Sequence, residues 1–212
     1  TIEGAVEGSN AEGNVEQGDI LRAITTPDGV RHEITSAATP FAIMRSVPAG
    51  STMTLTVERG GTTQDVSFDS VAASATETGS KLGVYLSADP VLPVDITVNI
   101  DGVGGPSAGM MFSLGIIDRL TPGDMTGGNA IAGTGTMSFD GQVGAIGGIQ
   151  QKLWGAHDDG AQWFLAPAEN CSEVVGHVPD GLNVVKVSNL SEAATAVATI
   201  AEGNGATLPT CQ

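Results

Sequence analysis

Apolar positions along the chain follow two rhythms, and the switch between them lays out the elements. Early on they alternate. Residues 52–57 (Thr-Met-Thr-Leu-Thr-Val) carry an apolar side chain at every second position, the mark of a strand with one buried face. Gly60-Gly61 is a tight hairpin signal, and residues 64–68 return as the partner strand. Upstream, Gly18-Asp19 turns the chain into a strand over 20–24, and Pro27-Asp28-Gly29 makes a polar turn. Phe41, Ile43 and Met44 predict a short helix over 39–46, begun near Pro40. Residues 71–80 are rich in Ala, Ser and Thr, lack periodicity and read as a short linker.

Strands over 82–86 and 94–100 come next, and then the rhythm becomes helical. Met110, Met111, Leu114 and Ile117 recur at helical spacing, so a helix runs to about Arg119. A polar loop (121–128) leads to a strand over 129–137 carrying Thr134. Glycines at 141, 144, 147 and 148 mark a turn region before a helix whose apolar stripe is Ile149, Leu153 and Trp154. A buried strand (162–166), a short helix (170–175), a strand (184–187) and a last helix (191–201), capped by Ser191 with Glu192 behind it, complete the pattern. The order predicts an α+β chain: a β-rich module over 1–72, a linker over 73–80 and a mixed α/β domain over 81–212.

Composition narrows the function. Hydrophobic residues make up 41% of the chain, enough for real cores, but aromatics only 4%, so Val, Ile, Leu, Ala and Met must build them. The net charge of −16 repels phosphate backbones and anionic bilayers, which argues against nucleic acid and membrane-surface partners. No apolar run approaches membrane-spanning length. Thr1 enters mid-pattern, so attachment to a membrane is assigned to an N-terminal segment upstream. The two cysteines, Cys171 and Cys211, make no zinc site. A disulfide between them would pin the Gly/Pro-rich tail over 203–212 and point to an extracytoplasmic location; two unrelated free thiols are the other reading.

The candidate chemistry centres on Gly104-Gly105-Pro106-Ser107-Ala108-Gly109. Pro106 suits a first helical turn, which puts Ser107 where backbone N–H groups lack intrahelical acceptors. Serine is common at helix starts simply as a cap. A hydroxyl there also suits a nucleophile, with the N–H groups of Ser107 and Ala108 placed for the oxyanion. Gly104 and Gly105 would admit a substrate backbone closely. No Gly-Lys-Ser/Thr follows, so the loop is not a nucleotide site.

For a base, the chain offers lysines only at 81, 152 and 186. Lys81 borders the linker and Lys186 sits in an alternating strand. Lys152 lies one residue off an apolar stripe, where a lysine usually extends its ammonium into water. Buried beside Ser107 instead, it would lose its proton more readily and become a base. His157-Asp158 invites a triad, but five residues along a helix turn His157 away from the face of Lys152. No histidine or carboxylate cluster has metal-ligand spacing.

Gly105-Pro106-Ser107-Ala108-Gly109, then Gly133-Thr134-Gly135, then the run from Gly141 through Gly147-Gly148-Ile149-Gln150-Gln151-Lys152-Leu153 and Ala156-His157, resembles the proteolytic domain of Lon proteases. The match continues through Gly160-Ala161 and Phe164-Leu165-Ala166-Pro167-Ala168-Glu169-Asn170, covering roughly residues 80–200. It implies a serine endopeptidase with Ser107 as nucleophile, Lys152 as general base and the Thr134 hydroxyl orienting the lysine. It also implies a homo-oligomeric ring, such as a hexamer. Gly104 stands where many Lon sequences have Asp, and Thr136 where many have Glu; these look like the PDZ-containing, Lon-like branch rather than the ATP-driven one. Gly8-Ser9-Asn10-Ala11-Glu12-Gly13 before Gln17-Gly18-Asp19-Ile20-Leu21 likewise resembles a PDZ domain, its first strand truncated or lying within 1–6. Such a module binds extended peptide ends beside the helix over 39–46.

The combined expectation is an ATP-independent, cofactor-free peptidase acting on unfolded or exposed polypeptide segments, from a bacterial, extracytoplasmic, membrane-anchored protein. The competing expectation is a peptide-binding scaffold with a silent Lon-like domain.

Overall fold

Alternation and hairpin glycines build the first half. In the computed structural model, which describes residues 1–73, 79–88, 94–98 and 105–211, the chain divides into two units, Thr1–Val98 and Asn99–Gln212. The first holds β1 (Ile2–Ala5), β2 (Ile20–Thr25), β3 (Arg31–Glu33), α1 (Thr39–Met44), β4 (Thr52–Arg59) and β5 (Thr62–Asp69). Of these, β2, α1, β4 and β5 follow the predicted pattern; β1 is present within 1–6, and β3 is a strand that the pattern did not predict. β3, β2, β4 and β5 form an antiparallel sheet in that order. Gly60 and Gly61, at φ 56° and 79°, make the tight β4–β5 turn that right-twisted strands favour. Met53, Leu55 and Val57 on alternate positions of β4 are fully buried, joined by Ile2, Ile24, Met44 and Leu82 in one core.

The boundary between the units falls later than the sequence pattern suggests. The ends of the expected linker pair with each other as β6 (Val71–Ala72) and β7 (Ser80–Lys81), while its middle, 74–78, lies outside the described residues. β8 (Val84–Leu86), expected to open the second domain, pairs with β1 instead. A strand at the N-terminus needs a neighbour, and only tertiary pairing says which. Of the strand expected over 94–100, residues 94–98 have no regular structure, and 99–100, like 101–104, lie outside the described residues.

One polar clip closes the first sheet. Arg59, at the end of β4, donates from Nε and Nη2 to the two carboxylate oxygens of Asp19 at 2.7 and 2.6 Å. The Asp19 side chain is 0% exposed. These bonds hold its carboxyl below the ordinary value of 3.8. A depressed folded value means that Asp19 contributes its stability above the unfolded pKa of about 3.9 and loses it as pH falls through the folded value. The thermal midpoint of wild type should therefore fall as pH drops below about 4. Asp19→Asn should show a shallower acid limb in circular dichroism melts; an equally steep one would refute the assignment.

The second unit is a layered α/β arrangement. After a 3-10 turn, Pro106–Ala108, come α2 (Gly109–Leu120), β9 (Ile131–Gly133), β10 (Thr136–Met137), β11 (Val143–Gly144), α3 (Ile149–Asp158), β12 (Trp163–Pro167), α4 (Cys171–Val174), β13 (Asn183–Val187) and α5 (Leu190–Ala201). β13, β12 and β9 form a parallel sheet, β12 in the middle. Parallel neighbours need crossovers, which α3 and α4 supply. Side chains of the sheet alternate between two cores. Leu165, Val185 and Val187 pack with Met110 and Leu114 of α2 and Ala196 and Val197 of α5. Phe164, Ala166 and Val184 pack with Ile149 and Leu153 of α3 and Val174 of α4. Burial on both faces explains why the central strand, β12, reads as a continuous apolar run, while the edge strand β13 leaves Asn183 and Lys186 exposed.

Two predicted details shift. The strand expected over 129–137 is broken into β9 and β10, with Thr134 and Gly135 at the break. The cap of α5 is Asn189, not Ser191: its side chain accepts from the Glu192 N–H at 2.9 Å, and the Glu192 carboxylate accepts back from the Ser188 N–H at 2.7 Å. The tail is anchored. Cys171 and Cys211 form a disulfide, the Lys186 N–H of β13 donates to Pro209 O at 2.9 Å, and Gly205 is buried against the Trp163 ring, leaving no room for a Cβ.

Candidate active site

A glycine sets the entry to the serine. Gly105, at φ 83° and ψ 169°, lies in a region of backbone space open essentially only to glycine. It feeds Pro106 into the 3-10 turn that continues as α2, so the half-buried Ser107 precedes a helix of twelve residues. Ser107 and Ala108 occupy this first turn; Gly104 lies outside the described residues.

The serine backbone is gripped from below. Its carbonyl accepts from the Gly135 N–H at 2.8 Å and from the Thr134 hydroxyl at 2.8 Å. The Met110 N–H in turn donates to Gly135 O at 3.1 Å. Thr134 is 2% exposed, and its N–H donates to Leu165 O of β12 at 3.1 Å. Close approach of α2 to the sheet depends on Gly133, whose missing Cβ would sit 2.6 Å from the Met111 sulfur and 3.1 Å from Leu165 Cβ.

Lys152 is carried by α3, which starts after Gly148 at φ 72°. Its backbone N–H donates to Gly148 O at 3.2 Å. Ile149 and Leu153 are fully buried, but Trp154, expected on the same stripe, is 54% exposed and lies edge-on to His157. Lys152 is half-buried rather than sealed away, and its ammonium has no hydrogen-bond or ion-pair partner among the described residues. No hydrogen bond joins it to the Ser107 hydroxyl. The His157 imidazole meets the adjacent Asp158 carboxylate at 3.3 Å, and no hydrogen bond links it to Ser107 or Lys152.

The family model of the Lon protease (S16) C-terminal proteolytic domain matches residues 43–199. The chain belongs to this family. It is 32% identical over 155 residues to a Lon protease of Brucella suis, covering 69% of this chain and 18% of that protein. It is 35% identical over 91 residues to a Lon protease of Buchnera aphidicola, covering 42% and 12%. It is 33% identical over 103 residues to Lon protease 2 of Bacillus subtilis, covering 46% and 18%. The match thus spans less than a fifth of the length of these relatives.

In this Lon-family chain a second polar grip lies under the lysine helix. Asn170, 1% exposed, accepts from the Ile146 N–H at 3.0 Å and donates to Ile146 O at 2.9 Å and to Glu173 at 2.8 Å. Beside it, the Glu169 carboxylate accepts from the Ala145 N–H at 3.1 Å. Sequence reading gave this pair no role; the available signal was a polar pair directly after the apolar run of β12. Among the described residues, no group of three His, Cys, Asp or Glu side chains is placed to hold a metal ion.

Proposed function

We propose that the second unit is a serine endopeptidase with a Ser107–Lys152 dyad. The observation that carries this is the fixed Ser107: a hydroxyl at a helix start whose own carbonyl is held by Thr134 and Gly135, in a chain of the Lon family. Ser107 Oγ attacks the scissile carbonyl while Lys152 takes its proton. The N–H groups of Ser107 and Ala108 hold the oxyanion. The lysine then protonates the leaving amine, and later removes a proton from the water that cleaves the acyl-enzyme. Thr134 donates to Ser107 O, which leaves its hydroxyl lone pairs to accept from the lysine amine and aim it. Substrate filling the site beside Gly104 and Gly105 expels water and brings the two groups into contact.

The wider reading follows the same line. The first unit, a PDZ-like antiparallel sheet with α1 beside it, recruits extended or unfolded polypeptide ends by strand addition. Cleavage by this chain needs no nucleotide. The disulfide supports an oxidising, extracytoplasmic setting, with attachment to a bacterial membrane through an upstream segment, and copies associate in a ring, such as a hexamer. A fluorophosphonate probe should label Ser107 and spare Lys152→Ala. Absent labelling with retained peptide binding would favour a scaffold with a silent proteolytic domain.

A further inference from the structure

In the second unit only two polar side chains are buried among the described residues, Thr134 at 2% exposure and Asn170 at 1%. Burying a polar side chain costs free energy unless its bonds are met, so such residues are scarce in a core made for packing alone. Both bond to backbone that leads to the proposed dyad, and Asn170 also donates to the Glu173 carboxylate. Thr134 holds the carbonyl of Ser107 itself. Asn170 holds both backbone groups of Ile146, the N–H and the C=O, as a neighbouring strand would.

The segment so held runs directly into the lysine helix. Gly147 and Gly148 separate Ile146 from α3, and the Lys152 N–H bonds back to Gly148 O. Two adjacent glycines give this joint little stiffness of its own. Its position therefore has to come from outside: from Asn170 on Ile146, from Glu169 on the Ala145 N–H, and from the Gln150 amide on Glu173 O at 3.2 Å. Asn170 is the buried member of this set, and a buried hydrogen bond competes less with water than an exposed one.

We infer that Asn170 is a positioning residue for Lys152, setting the start of α3 and with it the place from which the amine meets Ser107. This rests on the dyad proposed above. A misplaced base lowers the chemical step more than binding, since small errors of position cost heavily in a proton transfer made only in the transition state.

The test uses the full chain and an unstructured protein substrate, with Asn170→Ala and Asn170→Asp. The Asp variant keeps the side-chain shape and the acceptor for the Ile146 N–H but loses the donor to Ile146 O, so it carries the test if the Ala variant does not fold. With melts showing a folded chain, kcat should fall on the order of tenfold or more, KM should stay within about twofold, and the rising limb of the pH–rate profile should move. A second readout needs no turnover. With lysines only at 81, 152 and 186, 13C-methylated side chains give signals that Lys152→Arg assigns. The Lys152 signal should move in Asn170→Asp while those of Lys81 and Lys186 stay. A folded Asp variant with wild-type kcat, pH profile and Lys152 signal would overturn the inference and leave the dyad standing. Full activity in Ser107→Ala would instead remove the reading beneath it.

Discussion

Replacing Ser107 or Lys152 with alanine should lower cleavage of an unstructured protein by at least about a thousandfold, while the melting curve should stay close to wild type. Alanine at 107 removes the atom that would form the acyl bond. Alanine at 152 leaves Ser107 without a base, since neither His157 nor any other side chain donates to or accepts from its hydroxyl among the described residues. Members of a unit that acts together are not additive, so the double variant should be about as slow as either single one. Both side chains are half-buried, and the grip on the serine runs through its backbone carbonyl, so the fold should survive either change. Steady-state hydrolysis with a parallel circular dichroism melt reads both. Full activity in either folded variant would sink the dyad.

Removing the disulfide through Cys171→Ser with Cys211→Ser should destabilise the second unit by about 2–4 kcal/mol. The crosslink closes a loop between residues 40 apart, so its loss frees a long stretch of the unfolded chain. Two other contacts hold the tail, the Lys186 N–H to Pro209 O bond and the Gly205 contact with Trp163, so the tail loosens before the sheet does. Limited proteolysis should then cut after Ala201 faster than in the oxidised chain, and reduction of the wild type should have the same effect. An unchanged tail cleavage rate together with an unchanged midpoint would show that the crosslink supports neither.

Sequence alone was enough for the elements whose reason is local. The alternation of β4, the Gly60-Gly61 turn, the helical spacing of α2 and the glycines before α3 each act within a few residues, and each element stands where the pattern placed it. The serine at a helix start was readable for the same reason, because Pro106 and the small residues around it determine that turn. Partnership is different. β8 joins β1 from about eighty residues away, and no local pattern distinguishes that pairing from a strand of the second domain. Trp154 looked like part of a buried stripe, but a helix packed on one sheet face buries only the side chains that point at it. Likewise nothing in the order of residues said that Thr134 would interrupt a strand to hold the Ser107 carbonyl, or that Asn170 would take both backbone groups of Ile146. Those bonds join segments more than twenty residues apart. They form because the sheet brings buried polar atoms together where water cannot satisfy them, and that is decided only when the chain closes on itself.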